Sequence, residues 1–255
     1  MRSVITGTGH YVPERVVTNE ELVPVIGGTA LWVTERTGIL ERRYAAAAQT
    51  TSELGEHAAR RALEDAGIAP EDLDAVVFAT LSPDVMFPGC GVFLTARLGL
   101  TATPALDVRN QCSGYLYALS VADAWIRAGV YARVLIVGAE IHSTGMRFDH
   151  EGRSLTALFG DGAGAVVLEG TEDDTRGVVE VRLGADGSGA EHLWCEAPGS
   201  RGGEHVTWED LHAGRHFPTM NGRAVFRNAV STLTREINAL LQDHALPERE
   251  RAELV

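Results

Sequence analysis

The sequence predicts an α/β fold, and three observations support this prediction. Short apolar runs alternate with segments of helical periodicity along most of the chain. Several runs, such as AVVFATL and RVLIVGAEI, are continuously apolar, which is typical of strands buried on both faces of a sheet. Strands that alternate with helices in this way favour a largely parallel sheet.

The individual elements follow from these patterns. Strands are predicted at residues 3–9, 75–81, 104–108, 133–141, 163–169 and 177–185, and helices at 50–67, about 89–98, 112–128 and about 222–243. Thr51 or Ser52 can cap the first of these helices, and Gly67 can terminate it. Residues 186–218 have little periodicity and many Gly, Pro and His, so we predict a long surface loop there.

Composition places the chain among soluble globular proteins. Its 255 residues correspond to one large domain or two intimate halves, with 45% apolar and 22% charged residues. No apolar run approaches the ~18 residues that a membrane span requires, and the N-terminus lacks the regions of a signal peptide. Three cysteines (Cys90, Cys112 and Cys195) cannot all pair, which favours a reduced, cytoplasmic protein.

The charge of the chain excludes several classes of partner and chemistry. The formal net charge is −13, which argues against nucleic acid as a partner because phosphate binding needs a basic face. All 22 basic residues are arginine, so lysine Schiff-base chemistry and lysine phosphate loops are excluded. An anionic ligand would have to be held by arginine or by backbone N–H groups.

One internal repeat of the sequence pattern suggests that the protein has two similar halves. Residues 60–80 and residues 235–255 both run from a helix through a short turn with Pro-Glu into a strand or its beginning. Val255 would then lie inside a core strand, where a cut would leave buried N–H and C=O groups unpaired. We therefore expect this sequence to be a fragment of a longer polypeptide.

Cys112 lies where a predicted strand, PALDV, is followed by a predicted helix with few charges. Unpaired N–H groups and the helix dipole at such a position favour a thiolate, and the N–H of Cys112 could stabilise an oxyanion on an attached acyl group. A free cysteine is also a small hydrophobic residue that is often simply buried. The position alone leaves both interpretations open.

The motifs along the chain resemble the β-ketoacyl-acyl carrier protein synthase III family, which are condensing enzymes of thiolase fold. The matching stretches, in the order of the family, are GTGHYVPERVVTNEEL, WVTERTGI, FP at 87–88, DVRNQCSGYLYALSVAD, FGDGAGAVVLE and LGADGSG. The resemblance implies two similar βα halves with buried sheets in α-β-α-β-α layers. Residues 1–170 would form the first half with the nucleophile, and residues 171–255 the beginning of a second half that is incomplete in this chain.

The resemblance also implies a reaction. Cys112 would take an acyl group from acyl-coenzyme A and condense it with a malonyl thioester on acyl carrier protein, which gives a β-keto thioester. Acyl-coenzyme A is then a substrate, no cofactor is expected, and the partners are acyl carrier protein and a second copy of the chain in a homodimer. Two alternatives stay open: acyl transfer without condensation, or a non-catalytic thiolase-fold subunit.

Further site residues are assigned by the same resemblance. Trp32, Arg36 and Arg153 would bind coenzyme A, although a core tryptophan and two solvated arginines give the same pattern. Phe87 would close the acyl pocket of the partner subunit. The remaining substrate-binding assignments are Phe159, Met220, Gly222 and Phe226.

The chain departs from the family pattern in two respects. The histidine and asparagine that the family uses in decarboxylation belong to motifs beyond the strand beginning at Glu253, so the fragment is expected not to condense. The residues RNQCS around Cys112 and TLSPD at 80–84 are closer to family members of secondary metabolism, including quinolone biosynthesis. An acetyl starter group is therefore not assumed.

Two weaker motifs indicate little. The sequence GDGAG at 160–164 resembles a phosphate loop, but without a following lysine it predicts a tight turn into the next strand. His212 and His216 have the spacing of a metal pair, yet no third ligand motif lies near them, so no metal site is expected.

Overall fold

The computed structural model describes residues 1–201 and 203–244. Contacts divide the chain into two compact units, Met1–Leu183 and Gly184–Val255. The prediction that residues 1–170 and 171–255 belong to two similar halves stays a prediction. The internal repeat that suggests these halves includes residues 245–255, which lie outside the described residues.

The first unit contains seven strands and six helices among its described residues. The strands are β1 (Arg2–Tyr11), β2 (Arg15–Thr18), β3 (Glu41–Tyr44), β4 (Ala75–Ala79), β5 (Ala105–Val108), β6 (Arg133–Glu140) and β7 (Gly162–Thr171). The helices are α1 (Asn19–Ile26), α2 (Ala30–Thr37), α3 (Thr51–Ala66), α4 (Cys90–Arg97), α5 (Gly114–Arg127) and α6 (Arg153–Thr156), with short 3-10 helices at Pro70–Asp72 and Gln111–Ser113.

A five-stranded sheet with the strand order β1-β7-β6-β4-β5 forms the centre of this unit. β4 pairs in parallel with both β5 and β6, whereas β7 pairs antiparallel with both β1 and β6. Four strands therefore run in one direction, and β7 runs against them between β1 and β6. The prediction of a largely parallel sheet holds for strand direction, but the sheet is mixed because β7 introduces two antiparallel pairings.

β4 shows why the sequence reads as a continuously apolar run. Val76 and Phe78 pack with α3 and α4 on one face, whereas Ala75, Val77 and Ala79 pack with α5 on the other. All five residues are buried. The sheet is thus covered on both faces, and the strand has no solvent-facing side on which polar residues would alternate.

The helix α3 lies very close to β1. A Cβ atom added to Gly9 would lie 2.2 Å from the carbonyl oxygen of Ala58, and one added to Gly7 would lie 2.2 Å from that of Ala62. Glycine at these two positions lets the helix backbone approach the strand directly. The cap of α3 is Thr50, whose Oγ1 accepts from the N–H of Glu53, one residue before the predicted caps Thr51 and Ser52.

A smaller layer beside the sheet was not predicted from periodicity. It consists of the β2–β3 hairpin with α1 and α2, elements of only four to eight residues. The buried guanidinium of Arg42 joins its parts, because it donates to the carbonyls of Val17 and Ala157 and to Oδ1 of Asn19. This layer contains Trp32 and Arg36.

The prediction of a strand at residues 177–185 is wrong. The N–H of Val178 donates to the carbonyl of Ser3 at 2.8 Å, but the following residues form no ladder with β1 and have no regular structure. One backbone hydrogen bond does not make a strand, so β1 remains an edge of the sheet.

The second unit contains β8 (Leu193–Trp194), α7 (Trp208–His212), β9 (Thr219–Met220) and α8 (Gly222–Asp243), with a 3-10 helix at Gly187–His192. Residues 186–218 therefore hold short ordered elements inside the predicted surface loop, and α8 has the bounds that its periodicity predicted. No helix in the described part of the chain is long and apolar enough to cross a membrane.

Candidate active site

Cys112 lies just beyond the carboxyl end of β5, one of the strands of the central sheet. β4, β5 and β6 run parallel to one another, so their carboxyl ends lie on the same side of the sheet. The segments that follow these three strands therefore leave the sheet on that side. These segments carry Phe87 after β4, Cys112 after β5, and Arg153 after β6. In open α/β sheets, ligands bind outside the carboxyl ends of the strands.

The backbone turns sharply just before the cysteine. Gln111 has a φ of 45°, the one positive value outside glycine among the described residues. A left-handed conformation is unfavourable for a residue with a Cβ atom and is found preferentially at functional sites. The turn is closed locally by the Asn110 side chain, whose Nδ2 donates to Oγ of Ser113 at 2.9 Å.

The turn delivers an exposed Cys112 to the start of a helix. Residues Gln111–Ser113 form a 3-10 turn that runs directly into the 14-residue helix α5. Neither Asn110 nor Ser113 caps the helix with its side chain, and the first turn of α5 carries no acidic residue. The N-terminal end of the α5 dipole therefore lies beside Cys112 without a competing carboxylate in the first turn.

Gly114 brings this helix start against the sheet. It is buried, and a Cβ atom added to it would lie 3.2 Å from the Cβ of Ala79 at the end of β4. The absence of a side chain at Gly114 therefore permits a close approach to a neighbouring strand. Packing against β4 fixes the first turn of α5 and thereby the position of Cys112.

The other two cysteines lie in different environments. Cys90 also begins a helix, α4, but it is buried, and burial raises the pKa of its thiol to about 12. Its Sγ lies 3.5 Å from Oδ1 of Asp84, an interaction that favours the neutral thiol. Cys195 is exposed in the second unit, with Sγ 3.1 Å from the carbonyl of Ala197. No disulfide joins any two of these three described residues.

Trp32 and Arg153, which are far apart in sequence, lie together in the structure. The guanidinium carbon of Arg153 is 5.1 Å from the centroid of the Trp32 ring, a cation–π arrangement. Trp32 packs on the cluster formed by α1, α2 and Ala157, and the Thr29 hydroxyl caps the helix by accepting from the N–H of Trp32. We call Trp32, Arg36 and Arg153 the arginine–tryptophan patch.

The two arginines of this patch have no carboxylate partner among the described residues. Arg36 lies one turn after Trp32 on α2 and is exposed, with no hydrogen bond or ion pair to the described part of the chain. Nη1 of Arg153 lies 3.1 Å from the ring nitrogen Nε2 of His150. Both guanidinium groups are therefore available to an anion, in a protein whose net charge is strongly negative.

The two predicted phenylalanines differ in exposure. Phe87 is 85% exposed and follows Val85 and Met86, which are also exposed. Phe159 packs with Val17, Tyr44 and Met146 in a small cluster, with its ring 4.8 Å from that of His142. Phe87 thus offers a large apolar surface to another molecule, whereas Phe159 is mainly part of the local packing.

Met220, Gly222 and Phe226 belong to the second unit. Met220 pairs with Leu193 between β9 and β8, and Gly222 begins α8. Phe226 is 72% exposed in that unit. Their assignment to the substrate site stays a prediction.

The two weaker motifs have structural explanations. Asp161 of GDGAG accepts from the N–H groups of His142, Ser143 and Ala45, and the chain then enters β7 at Gly162. Nδ1 of His212 lies 2.6 Å from the carbonyl of Trp208, within its own short helix. Among the described residues, no group of three His, Cys, Asp or Glu side chains could hold a metal ion.

Three residues that contribute to the site were missed by sequence reasoning. Glu140 at the end of β6 accepts from the N–H groups of Leu81 and Ser82, which fixes the segment leading to Phe87. Gln111 gives no indication of its conformation because glutamine rarely adopts positive φ. His150 could have been considered only as a histidine near Arg153, since its contact depends on the folded loop.

The family model described as 3-Oxoacyl-[acyl-carrier-protein (ACP)] synthase III matches residues 106–187, which include Cys112. A curated relative from Cereibacter sphaeroides, beta-ketoacyl-[acyl-carrier-protein] synthase III, is 43% identical over 96% of this chain and 73% of its own length. A relative of the same name from Laribacter hongkongensis is 44% identical over 90% of this chain and 68% of its own length. The chain thus spans about three quarters or somewhat less of these relatives.

Solved structures show the same fold. The crystal structure of 3-oxoacyl-[acyl-carrier-protein] synthase III from Aquifex aeolicus superposes with a TM-score of 0.85 at 34% identity, over 97% of this chain and 74% of that one. A priming β-ketosynthase from the R1128 polyketide biosynthetic pathway gives a TM-score of 0.76 at 31% identity, over 91% of this chain and 67% of that one. The predicted thiolase-like α/β fold is therefore confirmed.

Proposed function

The chain belongs to the 3-oxoacyl-[acyl-carrier-protein] synthase III family, and on this premise we propose that it joins an acyl group from acyl-coenzyme A to a malonyl unit on acyl carrier protein. The observation that carries the proposal is Cys112, an exposed thiol at the uncapped start of α5. In the first step, its thiolate attacks the thioester carbonyl, and the thiolate of coenzyme A leaves. Exchange between two sulfurs is nearly balanced, so a cysteine thiolate is a suitable nucleophile for a thioester substrate.

The second step releases the acyl group from the enzyme. The malonyl thioester loses carbon dioxide, and the resulting carbanion attacks the acyl carbonyl on Cys112. A β-keto thioester forms, and the Cys112 thiolate is the leaving group. This chemistry uses acyl-coenzyme A as a substrate and calls for no separate cofactor. We assign the N–H of Cys112 to the stabilisation of the negative oxygen that develops in each attack.

We propose the arginine–tryptophan patch as the site for the nucleotide end of coenzyme A. An adenine ring can stack on the indole of Trp32 in the place that the guanidinium of Arg153 occupies in this structure, and the phosphates can pair with Arg36 and Arg153. The support is the contact between Trp32 and Arg153 together with the lack of carboxylate partners for either arginine among the described residues. Phe159, Met220, Gly222 and Phe226 are proposed to line the path of the substrate.

A homodimer is the assembly that we propose. β5 is an edge strand that pairs on its outer side with no other described residues, and Leu106 on it is 38% exposed. Exposed apolar residues at Val85, Met86 and Phe87 lie in the segment after β4, the strand next to β5. An edge strand and a neighbouring apolar segment are suited to pairing with a second copy, in which Phe87 would reach the partner's acyl pocket.

The alternatives are less well supported. A non-catalytic subunit would not need an exposed thiol at an uncapped helix start, and the curated relatives carry the name of the condensing enzyme at 43% identity. The choice of starter acyl group, a role in secondary metabolism and a cytoplasmic location stay predictions.

The proposal is tested at its first step, by mixing the protein with acyl-coenzyme A and measuring the release of coenzyme A by mass spectrometry. Cys112→Ser should lower the rate by about a thousandfold or more, because a hydroxyl is a much weaker nucleophile. The matched control is Cys195→Ser, which changes an exposed cysteine in the second unit and should leave the rate unchanged. Equal rates for Cys112→Ser and the unmodified protein would refute the proposal.

A further inference from the structure

The segment of residues 82–91, which we call the β4–α4 loop, leads from β4 into the first turn of α4. At its tip, Val85, Met86 and Phe87 are exposed and form no hydrogen bond with other described residues. The position of Phe87 therefore depends on how the two ends of the loop are held.

Two carboxylates anchor the start of the β4–α4 loop. Glu140 on β6 accepts from the N–H of Ser82 at 3.1 Å, and Asp84 accepts from the N–H and the hydroxyl of Ser52 on α3 at 2.8 and 2.5 Å. The N–H of Asp84 also lies 3.5 Å from Sγ of Cys90, so the two ends of the loop are in contact. The start of the loop is thus fixed to the sheet and to α3.

The other end of the β4–α4 loop is held by Asp107 on β5. The N–H of Gly91, in the first turn of α4, donates to both carboxylate oxygens of Asp107, each at 3.1 Å. The helix has no side-chain cap of its own, because its N-cap residue is Gly89. Asp107 therefore supplies from a neighbouring strand the acceptor that a capping side chain usually supplies.

Two glycines bring the start of α4 into direct contact with β5. A Cβ atom added to Gly89 would lie 2.2 Å from Cγ of Asp107, and one added to Gly91 would lie 2.9 Å from its Oδ2. The Cβ of Ala105, on the same face of β5, would lie 3.1 Å from that added to Gly91. Gly89 is only two residues from Phe87, so a shift of the helix start would also move Phe87.

We propose that Asp107 is a positioning residue for Phe87: it holds the start of α4 and thereby sets how deeply Phe87 enters the acyl pocket of the partner subunit. Asp107 follows Leu106 on the edge strand proposed for dimer contact, so the same strand would contact the partner and orient Phe87. Without the carboxylate, one end of the loop is released, Phe87 closes the pocket less firmly, and longer acyl chains are accepted. The inference rests on the proposed acyl transfer and homodimer.

The test measures the rates of coenzyme A release from octanoyl- and acetyl-coenzyme A and compares their ratio between variants. For Asp107→Ala, the octanoyl-to-acetyl ratio should rise about tenfold, the lower end of what a change in one apolar contact does to substrate discrimination. Asp107→Asn keeps an acceptor of the same size, which caps helices as well as aspartate does, so its ratio should match that of the unmodified protein. A loss of folded protein alone would lower both rates and leave their ratio unchanged.

The matched control is Asp65→Ala. Asp65 is also an exposed carboxylate that accepts from a backbone N–H, that of Thr8 on β1 at 2.8 Å. This variant loses the same kind of hydrogen bond outside the β4–α4 loop, so its ratio should not change.

A double variant shows whether Asp107 acts through Phe87. Phe87→Ala alone should raise the octanoyl-to-acetyl ratio at least as much as Asp107→Ala does. Adding Asp107→Ala to Phe87→Ala should raise the ratio no further, because the side chain that Asp107 positions is then absent.

The outcomes separate the inference from the proposed function. An unchanged ratio in Asp107→Ala, a ratio in Asp107→Asn as high as in Asp107→Ala, or a further rise in the double variant overturns the role of Asp107. An unchanged ratio in Phe87→Ala refutes the role proposed for Phe87, and that of Asp107 falls with it. If the unmodified protein releases coenzyme A from neither thioester, acyl transfer from these straight-chain substrates is refuted together with the inference.

Discussion

At the scale of single residues, Cys90 and Cys112 show that a helix start alone does not make a nucleophile. Cys90 is the first residue of α4, and Cys112 lies in the 3-10 turn that leads into α5. Both follow the carboxyl ends of parallel neighbouring strands, β4 and β5. Cys90 is buried and its thiol lies beside Asp84, so both desolvation and a neighbouring carboxylate favour the protonated form. Cys112 is exposed, with no acidic residue in the first turn of its helix.

This contrast predicts different rates of alkylation. With a pKa of about 12, Cys90 is a thiolate in only about one molecule in ten thousand at pH 8. Iodoacetamide at pH 8 should therefore modify Cys112 in the folded protein and leave Cys90 intact, as peptide mass mapping would show. In urea, Cys90 should react as readily as Cys112. Alkylation of Cys90 at the rate of Cys112 in the folded protein would contradict this account.

Sequence reasoning reached the position of Cys112 but not its surroundings. The junction of an apolar strand with an almost uncharged helix predicted the helix start, and the structure has it there. The positive φ of Gln111 was not predictable, since no local pattern requires glutamine to adopt it. The family resemblance assigned Trp32 and Arg153 to one site, but periodicity gives no information on the contact between them, because such long-range contacts depend on tertiary packing.

At the scale of elements, long apolar strands and long helices were predicted well and short elements poorly. Five of the six predicted strands form the central sheet, and three of them, β4, β6 and β7, contribute buried residues to the clusters on both of its faces. The hairpin of β2 and β3 was missed, since its four-residue strands include charged residues such as Arg42. Residues 177–185 look like a strand but form one backbone hydrogen bond to β1 in the structure.

The two edges of the sheet allow a matched test of dimer formation. Leu106→Arg on β5 should weaken the proposed homodimer, because a charged side chain on an edge strand opposes pairing with another chain. The control is Ile5→Arg on β1, the opposite edge, where the side chain is 41% exposed against 38% for Leu106. Analytical ultracentrifugation should show that the Leu106→Arg dimer dissociates at a higher protein concentration than the unmodified dimer. The Ile5→Arg dimer should dissociate at the same concentration as the unmodified one. Equal dissociation of both variants, or of neither, would show that β5 is not the interface.

At the scale of the whole molecule, the order of motifs carried more information than any one motif. The stretches from GTGHYVPERVVTNEEL to LGADGSG follow one another as in the family, and relatives at 43% identity align over 96% of the chain. The family and the fold could therefore be predicted from the sequence. The bounds of the two similar halves stay a prediction, and the internal repeat that supports them includes residues 245–255, outside the described residues.

The most direct test of the central claim is to locate the acyl group on the protein. The unmodified protein is incubated with acetyl-, branched-chain or aromatic acyl-coenzyme A, quenched in acid, digested and mapped by mass spectrometry. We predict one acyl group per chain, on the peptide that contains Cys112, with Cys90 and Cys195 unmodified. The contradicting result is an acyl group on Cys195 or Cys90 that persists in Cys112→Ala, or no acylation of Cys112 by any of the three thioesters.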